Sequence, residues 1–280
     1  MAERVRVASV PRSLRTASDL DAALDAGLLE VAYQPVLSLV TGQVVAAEAL
    51  ARLRDRETGE LRAPDTFIPL AEATGRIARI DRMVLELAVP LAVEWRASMP
   101  GRPFSVGVNV SVVGLADPAL ATFIDRVCAE AGLPCDALVI EVTETVLSRP
   151  GSGHERVLHD IHALGCNVTM DDFGTGYSSL SHLMRFPVDG IKIDRHFVWE
   201  IGGTSRGAKL PGALVQLGAQ LGLHVVAEGV ETAAQVAVLQ RAGCPFAQGF
   251  LFARPLPPEE LTAFLRANAA GVPLPRSETP

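Results

Sequence analysis

The chain has 280 residues, of which 49% are hydrophobic and 20% are charged, a balance typical of a soluble globular protein. Its formal net charge of −7 argues against large nucleic acids as partners, because proteins that bind them usually present a basic face. No apolar run reaches the ~18 residues of a membrane-spanning helix, and the N-terminus lacks the apolar part of a secretory signal. The four cysteines form no C-x-x-C pair, which favours free thiols and a cytoplasmic location.

The chain divides into a short lead-in, one domain and a short tail. Residues 1–16 are basic and we expect them to be flexible, as we do the proline-containing residues 271–280. Residues 17–270 are predicted to form a single domain, whose first helix opens near Ser18 as N-cap.

The first two apolar runs, 31–39 and 43–48, are separated by only three residues. This gap is too short for a crossover helix, so the two strands should pair antiparallel as a hairpin. The later strands are predicted at 106–110, 138–142, 168–171, 190–194, 224–228 and 246–252. Helices are predicted at 80–95, 119–131, 155–164, 211–221, 232–242 and 257–267. Eight strands mostly separated by helices predict an α/β fold, a modified TIM-like (β/α)8 barrel with an antiparallel first strand.

Acidic or amide side chains stand at the ends of most of these strands. They are Glu48, Asn109, Glu141, Asp171, Asp172, Glu228 and Gln248. A carboxylate at a buried strand must be paired or bind a metal, and strand ends converge on one face of a barrel. Oxygen ligands of this kind suit hard divalent cations, and the absence of histidine at these strand ends weakens a zinc interpretation.

A lysine lies within one of the apolar strands. Lys192 is flanked by Ile191 and Ile193, so its side chain should point opposite to theirs, toward the barrel interior or mouth. There an ammonium can stabilise developing negative charge or orient a water. Glu228 could either accept a proton or bind a metal, and the sequence leaves both roles open.

Several short motifs surround these residues and occur in a fixed order. They are Tyr33-Gln-Pro-Val36, Glu48-Ala-Leu50, Asn109-Val-Ser111, Glu141-Val-Thr-Glu144, Asp171-Asp-Phe-Gly174, Lys192-Ile-Asp194, Glu228-Gly-Val-Glu231 and Gln248-Gly-Phe250. As a set they are highly specific. From about Asp19 to about Leu265 the sequence resembles the EAL-domain family of cyclic di-GMP phosphodiesterases.

The resemblance implies hydrolysis of cyclic di-GMP to linear pGpG with two divalent ions, Mg²⁺ or Mn²⁺. The implied metal ligands are Glu48, Asn109, Glu141 and Asp171 for one ion and Asp172 with Asp171 for the second, with Glu144 and Glu231 as further acidic positions. The implied catalytic residues are Lys192, Glu228 and the metal ligand Glu48. The implied substrate-binding residues are Gln34, Leu50, Arg52 and Gln248.

The resemblance also implies a homodimer, formed through the loop 174–179 after the fifth predicted strand. One departure from the family pattern is Leu53, which stands where the family often has tryptophan. We expect this change to remove a packing surface near the substrate groove without touching a metal ligand.

Two other functions fit the same motifs less well. One is a receptor that binds the dinucleotide without hydrolysing it, although a receptor has no need of the full acidic set. The other is a phosphodiesterase that acts on pGpG or another dinucleotide. No Gly-Gly-Asp-Glu-Phe signature of a partner cyclase is present, so the chain either works alone or is a catalytic module of a larger protein.

Overall fold

A computed structural model describes residues 14, 16–145, 153–174, 185–203 and 209–270. Of the lead-in 1–16, which we predicted to be flexible, only Leu14 and Thr16 are among the described residues, and the predicted tail 271–280 lies outside them. Most of the loop 174–179, to which we assigned a dimer contact, also lies outside the described residues.

The described chain forms a barrel of eight strands with a short ninth strand at one edge. The strands are β1 (Leu29–Ser38), β2 (Val44–Arg54), β3 (Leu61–Arg62), β4 (Ser105–Asn109), β5 (Leu138–Thr143), β6 (Asn167–Phe173), β7 (Gly190–Ile193), β8 (His224–Ala227) and β9 (Phe246–Ala247). Their order is β1-β9-β8-β7-β6-β5-β4-β2-β3, and the pairing of β1 with β2 closes the barrel. The predicted barrel is confirmed.

Helices surround this barrel. They are α1 (Ala17–Asp25), α2 (Ile68–Ala73), α3 (Ile77–Ser98), α4 (Val112–Leu115), α5 (Leu120–Ala131), α6 (His154–Ala163), α7 (Arg195–Trp199), α8 (Leu210–Gln220), α9 (Ala233–Ala242) and α10 (Pro258–Ala269). Among the described residues, no helix is both long and apolar enough to cross a membrane.

The antiparallel first strand is also confirmed. β1 runs antiparallel to β2, with Gln34 opposite Glu48, and antiparallel to β9 on its other side. The other seven barrel strands, β2 and β4 through β9, are parallel to one another; β1 alone in the barrel runs the other way. The carboxyl ends of these parallel strands therefore open on one face, which we call the upper face.

Two local expectations need correction. The last strand ends at Ala247 rather than at residue 252, because the chain turns at Gly249, where a Cβ would lie 2.1 Å from the carbonyl oxygen of Val230. Thr16 rather than Ser18 caps α1: its side chain accepts from the Asp19 amide, and the Asp19 carboxylate accepts from the Thr16 amide. This reciprocal pair satisfies donors that a lone serine would leave free.

The main core lies between the barrel and its helices. Outward-facing strand residues such as Ile140, Val168 and Ile191 are fully buried. On α3, Trp95 packs edge-on against Tyr33 of β1, with ring centroids 4.8 Å apart. The strands are thus fixed from outside, which leaves the barrel interior for other residues.

Candidate active site

The side chain of Lys192 lies at the centre of the upper barrel, and only 2% of it is exposed. Its Nζ lies 2.7 Å from a carboxylate oxygen of Glu228, 2.9 Å from one of Glu141, 3.0 Å from one of Glu48 and 3.5 Å from one of Asp171. Ile191 and Ile193 face the helices, as the alternation along β7 predicts. Four carboxylates from four strands therefore converge on one ammonium.

Two amides hold this cluster together. The side-chain amide of Gln248 donates to Glu48 at 2.7 Å and to Glu228 at 2.9 Å. The amide of Asn109 donates to the other oxygen of Glu48 at 2.8 Å. Glu48 is therefore fixed through both oxygens, and Gln248 ties it to Glu228.

A bulge in β6 explains how two consecutive aspartates reach the same site. Met170 pairs with Ile191 and Phe173 with Ile193, so β6 has one residue more than β7 across this interval. Asp172 absorbs the extra residue with a φ of 54°, a conformation that aspartate tolerates better than most residues. Such a bulge redirects side chains that would otherwise alternate between the two faces.

A glycine makes room for one of the carboxylates. A Cβ at Gly107 of β4 would lie 2.2 Å from Oε1 of Glu141 on the neighbouring strand. Any larger residue would have to displace this carboxylate from Lys192. Glycine within a strand often marks such a close approach, so Gly107 was a signal in the sequence for the position of this carboxylate.

Burial and charge act in opposite directions on these groups. Burial alone would lower the pKa of Lys192, but the surrounding carboxylates raise it well above its ordinary value. Burial raises the pKa of Glu141 well above its ordinary value, although Lys192 opposes the shift. For Glu48, Lys192 and the two amides outweigh burial, so its pKa is lowered. The Lys192–Glu48 pair is thus the ionised centre of the cluster.

Other carboxyl groups hold protons more tightly than usual. Burial raises the pKa of Glu228 to about 8, against the opposing effect of Lys192. Burial, with Asp171 and Asp194 nearby, raises the pKa of Asp172 to about 6. Shifts of this kind show that the negative charge at the site is only partly balanced by protein groups.

The described carboxylates form two overlapping groups that could each hold a cation. Glu48, Glu141 and Asp171 offer oxygens that all lie within 4.8 Å of one another, and so do Asp171, Asp172 and Glu228. The oxygen donors match the preference of hard divalent cations. Five carboxylates face one ammonium, and the Gln248 Oε1 atom is buried without a hydrogen-bond partner in the described structure. The residues therefore fit divalent cations.

The remaining predicted site residues lie at different distances from this cluster. Gln34 is buried on β1 and donates to the Ala253 carbonyl at 3.1 Å. Leu50 lines, with Asn109, a cavity of about 290 Å³ beside the cluster. Arg52 lies further along the same face of β2 and donates to the Ala51 carbonyl at 2.8 Å.

Glu144 and Glu231 are not members of either carboxylate group. Glu144 is buried and accepts a hydrogen bond from the Gly174 amide at 3.3 Å. Glu231 is exposed near the N-terminus of α9. Their roles remain predictions.

Leu53 lies on the opposite face of β2 from Glu48 and is fully buried in the core beside α1. Leucine in place of the family's frequent tryptophan therefore alters the packing beneath α1, not the face of β2 that carries Leu50 and Arg52.

Two aspartates that hold site residues in position were not among the predicted site residues. Asp81 of α3 is buried and accepts from both the amide and the hydroxyl of Ser111, at 3.0 and 2.6 Å, which fixes the chain just after Asn109. Asp194 caps α7 by accepting from the His196 amide at 2.9 Å and interacts with Asp172. An aspartate within the apolar pattern of α3 was a signal for Asp81, because buried carboxylates need partners.

Comparison with known proteins identifies the family. A family model described as the EAL domain matches residues 17–255. The chain belongs to the EAL-domain family. The predicted family resemblance is therefore confirmed over most of the chain.

Relatives of this EAL domain include proteins named for cyclic di-GMP. The cyclic di-GMP phosphodiesterase NbdA of Pseudomonas aeruginosa is 39% identical over 256 residues, 91% of this chain and 32% of NbdA. The solved cyclic di-GMP complex of the PaMucR phosphodiesterase superposes with a TM-score of 0.81 at 38% identity, covering 87% of this chain and 98% of that one. The FimX EAL domain from Pseudomonas aeruginosa, solved bound to cyclic di-GMP, gives 0.76 at 25% identity, covering 85% and 94%. The chain spans about a third of the length of the curated relatives it matches.

Proposed function

We propose that this EAL domain is a metal-dependent phosphodiesterase that hydrolyses cyclic di-GMP to linear pGpG. The observation that carries the proposal is the set of carboxylates around Lys192, held in place by Gln248 and Asn109. A domain that only bound the dinucleotide would gain nothing from this concentration of buried negative charge, which is costly without cations. Named phosphodiesterases among the relatives support the same activity.

In this proposal Glu48, Asn109, Glu141 and Asp171 hold one divalent cation, and Asp172 with Asp171 helps to hold a second. Such a pair of ions supplies an activated water and neutralises charge on the phosphodiester oxygens. Mg²⁺ and Mn²⁺ are the candidates, because the ligands are oxygens and the described cluster contains no histidine or thiolate.

The protein groups perform the remaining tasks. Lys192 provides a fixed positive charge where negative charge develops on the phosphoryl group. We assign proton acceptance to Glu228, whose carboxylate lies 2.7 Å from Lys192 and accepts a hydrogen bond from Gln248 at 2.9 Å. Gln248 keeps Glu228 and Glu48 in register through its two hydrogen bonds.

The substrate would lie over the upper face. Leu50 and Asn109 line the cavity of about 290 Å³ beside the cluster, and Gln34 and Arg52 lie on the adjoining strands. We assign these residues, with Gln248, to the dinucleotide groove. The predicted cytoplasmic location and the homodimer formed through the loop 174–179 belong to the same proposal.

The test is hydrolysis of cyclic di-GMP by the purified chain in Mg²⁺, Mn²⁺ or EDTA, with products separated by chromatography. We expect pGpG with either metal and none in EDTA. Glu48→Gln should reduce turnover about a hundredfold or more. Glu130→Gln, which changes an exposed carboxylate on α5, should leave turnover unchanged.

Two results would contradict the proposal. Binding of intact cyclic di-GMP without metal-dependent turnover would identify a receptor instead. Faster hydrolysis of linear pGpG than of the cyclic dinucleotide would change the assigned substrate. Light scattering tests the dimer separately, and a monomer mass at all protein concentrations would count against it.

A further inference from the structure

Three of the four cysteines come together near the N-terminal ends of β5 and β6. Cys128 lies in the last turn of α5, Cys135 lies in the short helical turn that precedes β5, and Cys166 immediately precedes β6. The catalytic carboxylates stand at the opposite ends of the same two strands. The three thiols therefore form a cluster of their own, outside the active site.

The end of α5 brings Cys128 and Cys135 together. The helix ends at Gly132, which adopts a left-handed conformation with a φ of 77°. The Leu133 amide then donates back to the Cys128 carbonyl at 2.9 Å, the pattern of a Schellman motif. Pro134 cannot continue the helix. The chain therefore turns back at the end of α5, which returns Cys135 to the level of Cys128.

A second hydrogen bond brings Cys135 beside Cys166. The side-chain amide of Asn167 donates to the Asp136 carbonyl at 3.0 Å. Each of these two residues directly follows one of the cysteines, so the bond aligns the two segments. The Cβ of Cys135 also lies only 4.0 Å from the position that a Cβ would occupy at Gly165.

The side chains of these cysteines are in contact but differ in access. Cys135 forms side-chain hydrogen bonds with both Cys128 and Cys166. Cys128 and Cys166 are buried, whereas Cys135 is partly exposed. Burial, with Cys135 alongside, raises the pKa of Cys128 to about 12 and raises the pKa of Cys166 above its ordinary value. A small solute can thus reach one thiol, behind which two protonated thiols lie.

This arrangement favours a bond between two thiols over a shared metal ion. Within the described part of the chain, the groups of three or more residues that could hold one ion are all carboxylates of the active site. The thiol cluster is not among them, because such a group needs all its ligand atoms close to one another. Contact in pairs, with Cys135 common to both, is sufficient for a disulfide.

We propose that Cys135 is a site of reversible oxidation by a hydroperoxide, closed by a disulfide to Cys128 or Cys166. The Cys135 thiolate attacks a peroxide oxygen and breaks the O–O bond, which gives a sulfenic acid and, after protonation, water or an alcohol. A buried thiol then attacks the Cys135 sulfur, loses its proton and expels the hydroxyl group as water. The two thiols lose two electrons and the peroxide gains them.

Contact between the thiols decides the product. Well-oriented groups within one molecule can react as if each were present at about 10⁵–10⁸ M, which offsets the low thiolate content of the buried partners. Closure then competes with further oxidation of Cys135 to a sulfinic acid, which is irreversible without a dedicated enzyme. The buried thiols keep the oxidation reversible. The proposal does not depend on phosphodiesterase activity.

The test treats the reduced, purified chain with hydrogen peroxide in EDTA and follows intact mass. We expect a loss of about 2 Da, reversed by dithiothreitol, as one disulfide forms. A protease that cuts after glutamate separates Cys128 from Cys135 at Glu130, so peptide mapping without reductant identifies the partner of Cys135. Cys244 should stay reduced, because it is buried and donates to the Phe246 carbonyl at 3.2 Å.

Cysteine variants separate the two steps. Cys135→Ser should abolish the change in mass, because both remaining thiols of the cluster are buried. The double variant Cys128→Ala/Cys166→Ala should still oxidise at Cys135 but should not close. Dimedone should therefore trap about tenfold more sulfenic acid in it than in the unaltered chain. Cys244→Ala is the matched control and should behave like the unaltered chain.

The single variants decide the question if the double variant fails to fold. Cys128→Ala and Cys166→Ala should each form only the disulfide that remains open to Cys135. The proposal is overturned if peroxide produces no disulfide, if the disulfide lacks Cys135, or if Cys135→Ser forms one equally well. Equal trapping of sulfenic acid in the double variant and the unaltered chain would also overturn it. Because the readout is mass, these outcomes are independent of whether cyclic di-GMP is hydrolysed.

Discussion

The upper and lower halves of the barrel interior are built from the same strands but differ in their chemistry. The lower half lies toward the N-terminal ends of the parallel strands, where the residues two positions before the functional groups lie. Four of these residues are smaller than the groups that follow them: Val139 precedes Glu141, Thr169 precedes Asp171, Gly190 precedes Lys192 and Val226 precedes Glu228. Phe246, before Gln248, is an exception. The upper half holds charged groups in direct contact, whereas the lower half holds an accessible cavity.

In this barrel, the packing that stabilises the fold is separated from the functional groups, whereas many proteins place both in one core. Packing that stabilises the fold lies outside the barrel, between strands and helices. Inside the barrel, the upper half holds the charged groups and the lower half holds the cavity. Changes in the upper half should therefore have large effects on stability and activity, and changes in the lower half should have small ones.

The largest expected effect follows from removing the central ammonium. Without metal and at pH 8, Lys192→Met should lower the free energy of unfolding by about 3–5 kcal/mol, because four buried carboxylates lose the ammonium that contacts them. The loss should shrink at pH 6, where these carboxyl groups can take up protons, whose binding burial already favours. Chemical denaturation at both pH values measures this.

Added Mg²⁺ should restore much of the stability of Lys192→Met, since the same carboxylates would bind it. Equal destabilisation at pH 6 and pH 8, with no response to Mg²⁺, would mean that the cluster is not the source of the loss.

A methyl group added at Gly107, which lies between the two halves, should displace a carboxylate of the upper half. In Gly107→Ala the new Cβ would overlap the Glu141 carboxylate, which must then move away from Lys192. A displacement of about 1 Å can reduce turnover about a hundredfold, and we expect a loss of this size in cyclic di-GMP hydrolysis with near-normal thermal stability.

Gly212→Ala is the matched control. A Cβ at this position on α8 would meet only Ala242, at 3.7 Å, so turnover should be unchanged. Full activity of Gly107→Ala would show that the position of Glu141 is not critical.

The sequence predicted the barrel well because its signals are local. Eight apolar runs and a three-residue gap were enough to indicate the closed sheet and its antiparallel first strand. The end of the last strand was wrong because the apolar run 246–252 continues through a turn. That turn depends on the approach of Gly249 to Val230, a contact between distant parts of the chain.

For the site, the position of acidic residues at strand ends identified the carboxylates that contact Lys192. The bulge at Asp172 and the space above Gly107 were not predictable by the same rule, because each depends on the register between neighbouring strands. The cavity in the lower half was missed because strand alternation gives the direction of a side chain but not whether its layer is filled.

A buried carboxyl outside the barrel should show a smaller, pH-dependent effect. Burial raises the pKa of Asp81 from an ordinary 3.8 to about 6, so between these values the folded chain binds more protons than the unfolded chain. Stability should therefore fall as pH rises through this window, by about 3 kcal/mol from this group.

Asp81→Asn should remove that slope while retaining an acceptor for Ser111, and urea denaturation from pH 4 to pH 7 measures it. Asp81→Leu should instead destabilise the fold by about 1–3 kcal/mol across the range, because the Ser111 amide and hydroxyl lose their acceptor. An unchanged slope in Asp81→Asn would place the titration elsewhere.

The smallest expected effect concerns the lower half, where adding a methylene group should raise the stability of the fold rather than lower it. Val139→Ile adds one methylene to the wall of the cavity, where there is space, and should stabilise the fold by up to about 0.8 kcal/mol. The same substitution at Val168, which faces outward on the next strand and is fully buried, should destabilise by about 1–3 kcal/mol because that layer is already filled. Both are measured by urea denaturation, and neither residue is one of the clustered carboxylates. If both substitutions destabilise equally, the interior below Lys192 is packed like the outer core, and the contrast between the two halves of the barrel does not hold.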